Sequence, residues 1–148
     1  MTPLIMLESI CLMPDFLRSL PVQERYITAG SETVSIAVLQ QLATDECEAV
    51  RRRVAENPRT PDNILIDLAT DSDCEVRMTV AEHASTPLSV LEMLALDACA
   101  DVRFGIAENA RTPWHILRML SHDDNPFVAC RARKTLETVV ASHMQTAA

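Results

Sequence analysis

Residues 60–83 have the sequence TPDNILIDLATDSDCEVRMTVAEH, and residues 86–109, TPLSVLEMLALDACADVRFGIAEN, repeat the same pattern at an offset of 26 residues. The same residue types recur at equivalent positions of successive repeats, which we call columns, from about residue 35 to residue 128. Self-similarity at a fixed period of this size is typical of repeat architectures, in which each unit buries its apolar face against its neighbours. The repeat therefore predicts a stack of similar units.

Each unit is predicted to contain two short helices. Apolar residues in the first half fall at i, i+1, i+4 and i+5, which is one helical stripe and not a strand. In residues 60–83 these are Ile64, Leu65, Leu68 and Ala69. We expect the Thr60 hydroxyl to accept a first-turn N–H and Pro61 to begin the helix. The second helix follows an acidic turn and is expected to end near His83, which occupies a column otherwise held by Asn57 and Asn109. Asparagine tolerates the left-handed conformation common after a helix, so this column is predicted to cap the second helix.

The whole chain is predicted to be a single all-α domain, a helical-repeat solenoid of short helix pairs with a 26-residue period. With 48% apolar residues it can bury a sizeable core, and only five aromatic residues and two glycines favour helix over sheet. The expected organisation is an N-terminal cap with a degenerate repeat (1–34), core repeats (35–127), a C-terminal capping helix (128–144) and a tail (145–148). Two short apolar helices split at Pro14 are expected within residues 2–20.

The pattern TPxxxLxxLAxDxxxxVRxxVAEN resembles the bacterial leucine-rich repeat variant family, a relative in shape of HEAT-like repeats. The resemblance covers roughly residues 35–128 and implies a right-handed superhelix in which an α-helix alternates with a second short helix, often 3₁₀. Some members of that family bind an iron–sulfur centre through an N-terminal cysteine cluster. Here Cys11 is the only cysteine before Cys47, and such a cluster normally needs four thiolates, so no cofactor is expected.

Composition narrows the function classes. Thirteen Lys and Arg against 21 Asp and Glu give a net charge of −8, which disfavours nucleic-acid binding. No apolar run approaches the ~20 residues of a membrane-spanning helix, and residues 1–13 lack the basic start of a secretory signal. Five scattered cysteines without a CxxC or CxxH pair indicate reduced thiols and no metal site. We therefore expect a cytoplasmic protein that binds neither nucleic acid nor membrane.

Charged columns also repeat, and we interpret them as structural. They comprise Asp45, Asp71, Asp97 and Asp123, then Arg51, Arg77 and Arg103, and finally Glu56, Glu82 and Glu108. The aspartates are expected to accept backbone N–H bonds at the start of the second helix and to pair with an arginine of the same or an adjoining unit. The alternative, a ladder of cation ligands, is disfavoured by loops without glycine. The glutamates are either a row screened by Arg59 and Arg111 or an acidic strip that meets a basic partner.

No pattern in the sequence favours catalysis. The four histidines are scattered along the chain, and GxSxG, HExxH and phosphate-binding glycine loops are absent from the sequence. We predict no catalytic residue. The cysteines at positions 47, 74 and 99 lie near the starts of second helices, where the pKa of a thiol can fall, so they are either reactive or inert half-buried thiols.

Outward columns that do not repeat are free to encode partner choice, because packing constrains only the repeated ones. They become apolar in the later units, and the predicted partner-binding residues are Trp114, Phe104, Met93, Met119, Met78, Leu88 and His115. The competing interpretation is that Trp114 and Phe104 pack under the final helix or the neighbouring unit. We predict a non-catalytic scaffold for a protein or peptide, with a basic partner segment favoured. The alternative is a redox or metal-binding protein related to the iron–sulfur members of the family.

Overall fold

The computed structural model describes residues 14–146, and within them the chain forms ten α-helices and no strand. The helices are α1 (Pro14–Ser19), α2 (Val22–Ala29), α3 (Ile36–Leu42), α4 (Glu48–Glu56), α5 (Asp62–Leu68), α6 (Cys74–Glu82), α7 (Leu88–Leu94), α8 (Ala100–Glu108), α9 (Trp114–Leu120) and α10 (Pro126–Thr146). The protein is therefore all-α over this range. The apolar helix predicted before Pro14 and the last two residues of the predicted tail lie outside the described residues.

Helices of seven and nine residues alternate through the middle of the chain. The odd-numbered helices α3 to α9 have seven residues each, and α4, α6 and α8 have nine. Each even-numbered helix packs on the next, from α2 through α10, and each seven-residue helix packs against the even-numbered helices that precede and follow it. Helices this short are marginal alone, so these contacts stabilise them.

The apolar columns of the sequence form one continuous core. On α5 the side chains of Ile64, Leu65 and Leu68 are at most 2% exposed, and the second helices contribute Val50, Val76 and Val102, which are fully buried. Burial of a Leu or Val side chain is worth about 1.5 to 3 kcal/mol, which makes these columns the main source of stability.

The role predicted for the Thr-Pro pair is wrong in detail. The first helix begins at Asp62, with Pro61 as its N-cap. The buried Thr60 hydroxyl instead donates to the carbonyl oxygen of Val54 at 2.6 Å, and Thr86 and Thr112 make the same bond to their own second helices. Threonine satisfies a carbonyl at the end of the preceding helix because buried helix-end carbonyls need partners.

The Asn/His column does not adopt the left-handed conformation. Asn57, His83 and Asn109 have φ between −73° and −67° with extended ψ, and no residue between 14 and 146 has a positive φ. Their side chains join consecutive units instead. The Asn57 amide donates to the Ala29 carbonyl oxygen at 2.7 Å, while its own oxygen accepts the Arg59 N–H at 2.9 Å.

The Asn57 amide also donates to the Ser31 carbonyl oxygen, 26 residues back, at 3.0 Å, and His83 makes the equivalents of this bond and of the Arg59 bond with its two ring nitrogens. Nδ1 accepts the Ser85 N–H at 3.1 Å, and Nε2 lies 3.0 Å from the Asn57 carbonyl oxygen. Because Nδ1 is an acceptor, the proton is on Nε2, which donates. His83 is therefore a joint between units that works as the neutral Nε2–H tautomer.

The C-terminal helix starts earlier and runs further than its predicted bounds of 128–144. Helix α10 covers 21 residues from Pro126 to Thr146, and Asn125 caps it by accepting the N–H of Phe127. Val128 and Ala132 are buried against the preceding units. The first part of α10 thus occupies the position of a second helix of the repeat, and the rest of α10 is the closing helix.

Candidate interaction surface

The repeated Arg and Asp columns pair across adjoining units, as expected. Arg77 donates from Nε and Nη2 to the two carboxylate oxygens of Asp97 at 2.7 and 2.9 Å, and Arg51 and Arg103 hold Asp71 and Asp123 in the same way. Each aspartate also accepts a backbone N–H two residues on, as Asp97 does from Cys99. The arginine hydrogen bond holds the pKa of Asp97 and of Asp123 below the ordinary value. These charges are therefore structural and face each other.

We call these successive Arg–Asp pairs the Arg–Asp ladder; its first pair, Arg25 with Asp45, was not predicted from the sequence. Arg25 lies 26 residues before Arg51, is 4% exposed and pairs with Asp45 at 2.7 Å. The surrounding residues match the repeat only weakly, which hid the column. The period alone would have identified it.

Four of the seven predicted contact residues form an exposed apolar surface on α7 and α9. Leu88 and Met93 of α7 are 49% and 43% exposed, and Trp114 and Met119 of α9 are 60% and 44% exposed. Trp114 therefore does not pack under the final helix, contrary to the competing interpretation. We call these four side chains the α7/α9 face.

His115 belongs to the same side of the molecule. Its Nε2 lies 3.5 Å from the Glu92 carboxylate on α7, and its ring meets Trp114 edge to face with centroids 6.1 Å apart. The His115–Glu92 contact places the outward sides of α7 and α9 next to each other at this point.

Leu96 extends this surface and was not predicted. It is 74% exposed and, with Met119, lines a shallow depression that also contains Arg103 and Asp123. The sequence could have indicated Leu96, because the equivalent positions hold Thr70 and His122. This column therefore does not repeat, which was the criterion for a contact residue.

Met78 and Phe104 lie elsewhere. They project from the even-numbered helices α6 and α8, where both are half-buried and pack against the core. Phe104 thus fits the competing interpretation that it packs against a neighbouring unit. The structure does not bring these two residues to the α7/α9 face.

The glutamate column is screened by arginines other than those expected. Arg53 pairs with Glu56 at 2.8 Å, and Arg131 pairs with Glu108 at 2.8 Å, whereas Arg59 donates to the Glu32 carbonyl oxygen. Burial, followed by the charges of Glu108 and Glu75, raises the pKa of Glu82. The even-numbered helices α6 and α8 thus carry both a glutamate of this column and a half-buried apolar residue, Met78 or Phe104.

The described residues hold no group of three or more His, Cys, Asp or Glu side chains that could bind a metal ion. Cys47, Cys74 and Cys99 are half-buried, Cys130 is exposed, and none of the four is in a disulfide. Between residues 14 and 146 no helix is long and apolar enough to span a membrane.

Comparison with known proteins returned no match: no family model, no curated protein and no solved structure is similar to this chain. The resemblance to the leucine-rich repeat variant family, with the right-handed superhelix that it implies, stays a prediction.

Proposed function

We propose that this chain is a non-catalytic scaffold that binds a protein or peptide, and that its helix pairs form a right-handed solenoid with a 26-residue period. Consecutive packing of the even-numbered helices and the equivalent Arg–Asp pairs in successive units support the solenoid. Stacked helix pairs offer an extended surface on which partner choice depends on outward residues.

The observation that carries the binding function is the α7/α9 face itself. Trp and Met side chains exposed by 43% to 60% on two adjacent helices present a large apolar area that a partner can cover. Residues of this type, clustered at the centre of a surface patch, supply most of the energy in protein interfaces. His115 and Leu96 border the patch and complete the proposed contact set.

The chemistry of the surroundings favours a partner segment that is apolar with flanking Lys or Arg. Glu92 is exposed beside the patch, and Asp124 projects from the loop after α9. The whole chain carries a net charge of −8. Complementary charge raises the association rate and suppresses acidic competitors, while the apolar anchors supply affinity.

Affinity capture of the tagged chain from a lysate of its source, with quantitative mass spectrometry, tests this function. The informative variant is Trp114→Ser/Met119→Ser. The matched control is Ile36→Ser/Ile66→Ser, which removes two apolar side chains of comparable exposure, 51% and 47%, from α3 and α5.

We expect one protein to be retained near stoichiometrically by the wild-type chain and the control, and to be lost from the Trp114→Ser/Met119→Ser variant. Circular dichroism should show that both variants keep the helical signal, since all four side chains are exposed. Equal loss from both variants, or retention by both, contradicts the assignment of the α7/α9 face.

A further inference from the structure

A shallow depression of about 330 Å³ opens between the C-terminal ends of the consecutive helices α4 and α6, and we call it the α4/α6 depression. It shares no residue with the α7/α9 face. Its lining includes Glu56, Pro58, Thr79, Glu82, His83 and Ala84. The carbonyl groups at a helix C-terminus carry partial negative charge. Two helix ends and two glutamates therefore give this depression a negative potential.

The two glutamates of the α4/α6 depression differ in their counter-charges. Glu56 pairs with Arg53 at 2.8 Å and with Arg52 at 3.7 Å, both on its own helix. Glu82 occupies the same column one unit later and is exposed, but within the described part of the chain its carboxylate has no ion pair. One carboxylate of the depression is therefore left without a cation.

The difference follows from three positions that change between the two units. Positions 52, 53 and 59 are arginines, and the equivalent positions 26 residues later hold Met78, Thr79 and Ser85. The next unit brings no cation to replace them, because α8 has a glycine where α6 packs on it. A Cβ atom at Gly105 would lie 3.9 Å from Glu82 Cγ and 3.5 Å from Met78 Cγ. The Glu82 stem therefore lies against the backbone of α8.

Two further polar side chains of the depression already have partners within the protein. The Thr79 hydroxyl donates to the Glu75 carbonyl oxygen at 2.8 Å, and both ring nitrogens of His83 are hydrogen-bonded. The Glu82 carboxylate differs, since partial burial and the charges of Glu108 and Glu75 raise its pKa. It is therefore the group of this depression that an incoming cation would stabilise.

We propose that the α4/α6 depression binds an arginine side chain from a peptide segment of a partner protein. The guanidinium pairs with the Glu82 carboxylate, and the aliphatic part of the arginine lies on Pro58 and Ala84. Arginine fits this site better than lysine, because its planar guanidinium forms two parallel hydrogen bonds to one carboxylate. This contact site is additional to the α7/α9 face, so either site can fail without the other.

Charge complementarity determines the occupant. An acidic segment, or a second copy of this chain with its net charge of −8, would be repelled from the two glutamates and the two helix ends. A purely apolar segment would cover the Glu82 carboxylate without supplying a partner, which is costly. A segment with an arginine supplies the missing counter-charge and also covers the apolar lining.

Titration of the isotope-labelled full chain with the peptide acetyl-Ala-Arg-Ala-amide, followed by NMR, tests the proposal. We expect saturable shifts of the backbone amides of residues 55–58 and 82–85, with a Kd of about 1 to 10 mM for one ion pair with small apolar contacts. The same peptide with citrulline, which keeps the shape of arginine without its charge, should bind at least about tenfold more weakly. Equal binding of the citrulline peptide, shifts confined to the α7/α9 face, or no saturable shift would overturn the proposal.

Two variants that each remove one negative charge separate a specific contact from the effect of net charge. Glu82→Gln should raise the Kd of the arginine peptide about tenfold, whereas Glu137→Gln, which changes an exposed glutamate of α10, should raise it less than about twofold. Equal effects of the two variants would contradict the proposal. In the wild-type chain, which needs no substitution, saturating peptide should lower the pKa of Glu82 in a carboxyl NMR titration, because a bound cation stabilises the carboxylate. An unchanged pKa would exclude Glu82 as the partner of the arginine.

Discussion

Helices α5 and α9 occupy equivalent positions two units apart and differ only on one side. Inward, Ile64, Leu65 and Leu68 of α5 correspond to Ile116, Leu117 and Leu120 of α9, and all six are at most 2% exposed. Outward, Asp62, Asn63 and Asp67 of α5 are replaced by Trp114, His115 and Met119 in α9. Packing fixes the inward residues, because a cavity or an overpacked side chain is costly in a close-packed core.

Packing does not explain why the outward residues differ. These residues give the two helices different surfaces. An exposed Trp contributes little to folding, since its surface stays in water in the isolated chain. The exposed apolar area on α9 therefore supports a role in binding, while the outward side of α5 carries Asp62, Asn63 and Asp67 beside a single exposed apolar residue, Ile66. The following predictions test this separation of inward and outward residues.

The largest effect is expected for the inward leucines. Leu65→Ala and Leu117→Ala should each lower the free energy of unfolding by about 2 to 5 kcal/mol, because each leaves a cavity in the core. The outward changes Asp62→Ala and Trp114→Ala should each alter it by about 0.5 kcal/mol or less. Urea denaturation measures all four. An outward substitution as costly as an inward one would contradict the assigned orientation of that helix.

The Arg–Asp ladder should come next. Arg77→Ala leaves the Asp97 carboxylate, which is 10% exposed, without its guanidinium, and we expect a loss of about 3 kcal/mol. Arg118→Ala on the exposed side of α9 is the matched control and should change the free energy of unfolding by about 0.5 kcal/mol or less. Equal losses in chemical denaturation would show that the ladder does not stabilise the fold.

The same ladder predicts an acid dependence of stability. The folded pKa of Asp97 and of Asp123 lies below the ordinary value of 3.8, because arginine hydrogen bonds stabilise the carboxylates. Their contribution is therefore present above about pH 4 and is lost as the pH falls through the folded pKa. The urea midpoint should be lower at pH 3 than at pH 7, and Asp97→Asn should reduce that difference. An unchanged difference in Asp97→Asn would exclude this carboxylate as a cause.

The smallest effect concerns the joint at His83. His83→Asn should change the free energy of unfolding by less than about 1 kcal/mol, since Asn57 makes the equivalent two bonds, to the Ser31 carbonyl oxygen and from the Arg59 N–H. His83→Leu should cost about 1 to 3 kcal/mol, because the Ser85 N–H loses its acceptor and the Asn57 carbonyl oxygen keeps only the Thr60 N–H. Thermal unfolding of the two variants compares them. If asparagine proved as disruptive as leucine, the imidazole would have a role beyond these two bonds.

Much of the fold could be predicted because the repeat makes each column visible several times. The stripe around Leu65 and the pairing of Arg77 with an aspartate follow from spacing and charge. The role of Thr60 could not be predicted, since a hydroxyl before Pro61 can serve the helix on either side, and only the packed backbone shows that it donates backward to Val54. The bond of His83 Nε2 to the Asn57 carbonyl oxygen likewise depends on a group of the preceding unit.

The candidate surface was predictable in part for the same reason. Non-repeating columns identified Trp114 and Met119, which are exposed. They did not separate these residues from Met78 and Phe104, because the sequence does not show how closely neighbouring even-numbered helices approach. Leu96 met the same criterion and was overlooked because it lies in the turn after α7.

The most direct test of the α7/α9 face is the affinity of the purified partner for the two double variants. Isothermal titration calorimetry should give a Kd raised by about 30-fold or more for Trp114→Ser/Met119→Ser, the loss expected for interface hot spots. The Ile36→Ser/Ile66→Ser control should bind like the wild type. A Kd unchanged by loss of Trp114 and Met119, or raised equally by the control, would contradict the assignment of the binding surface to the later units.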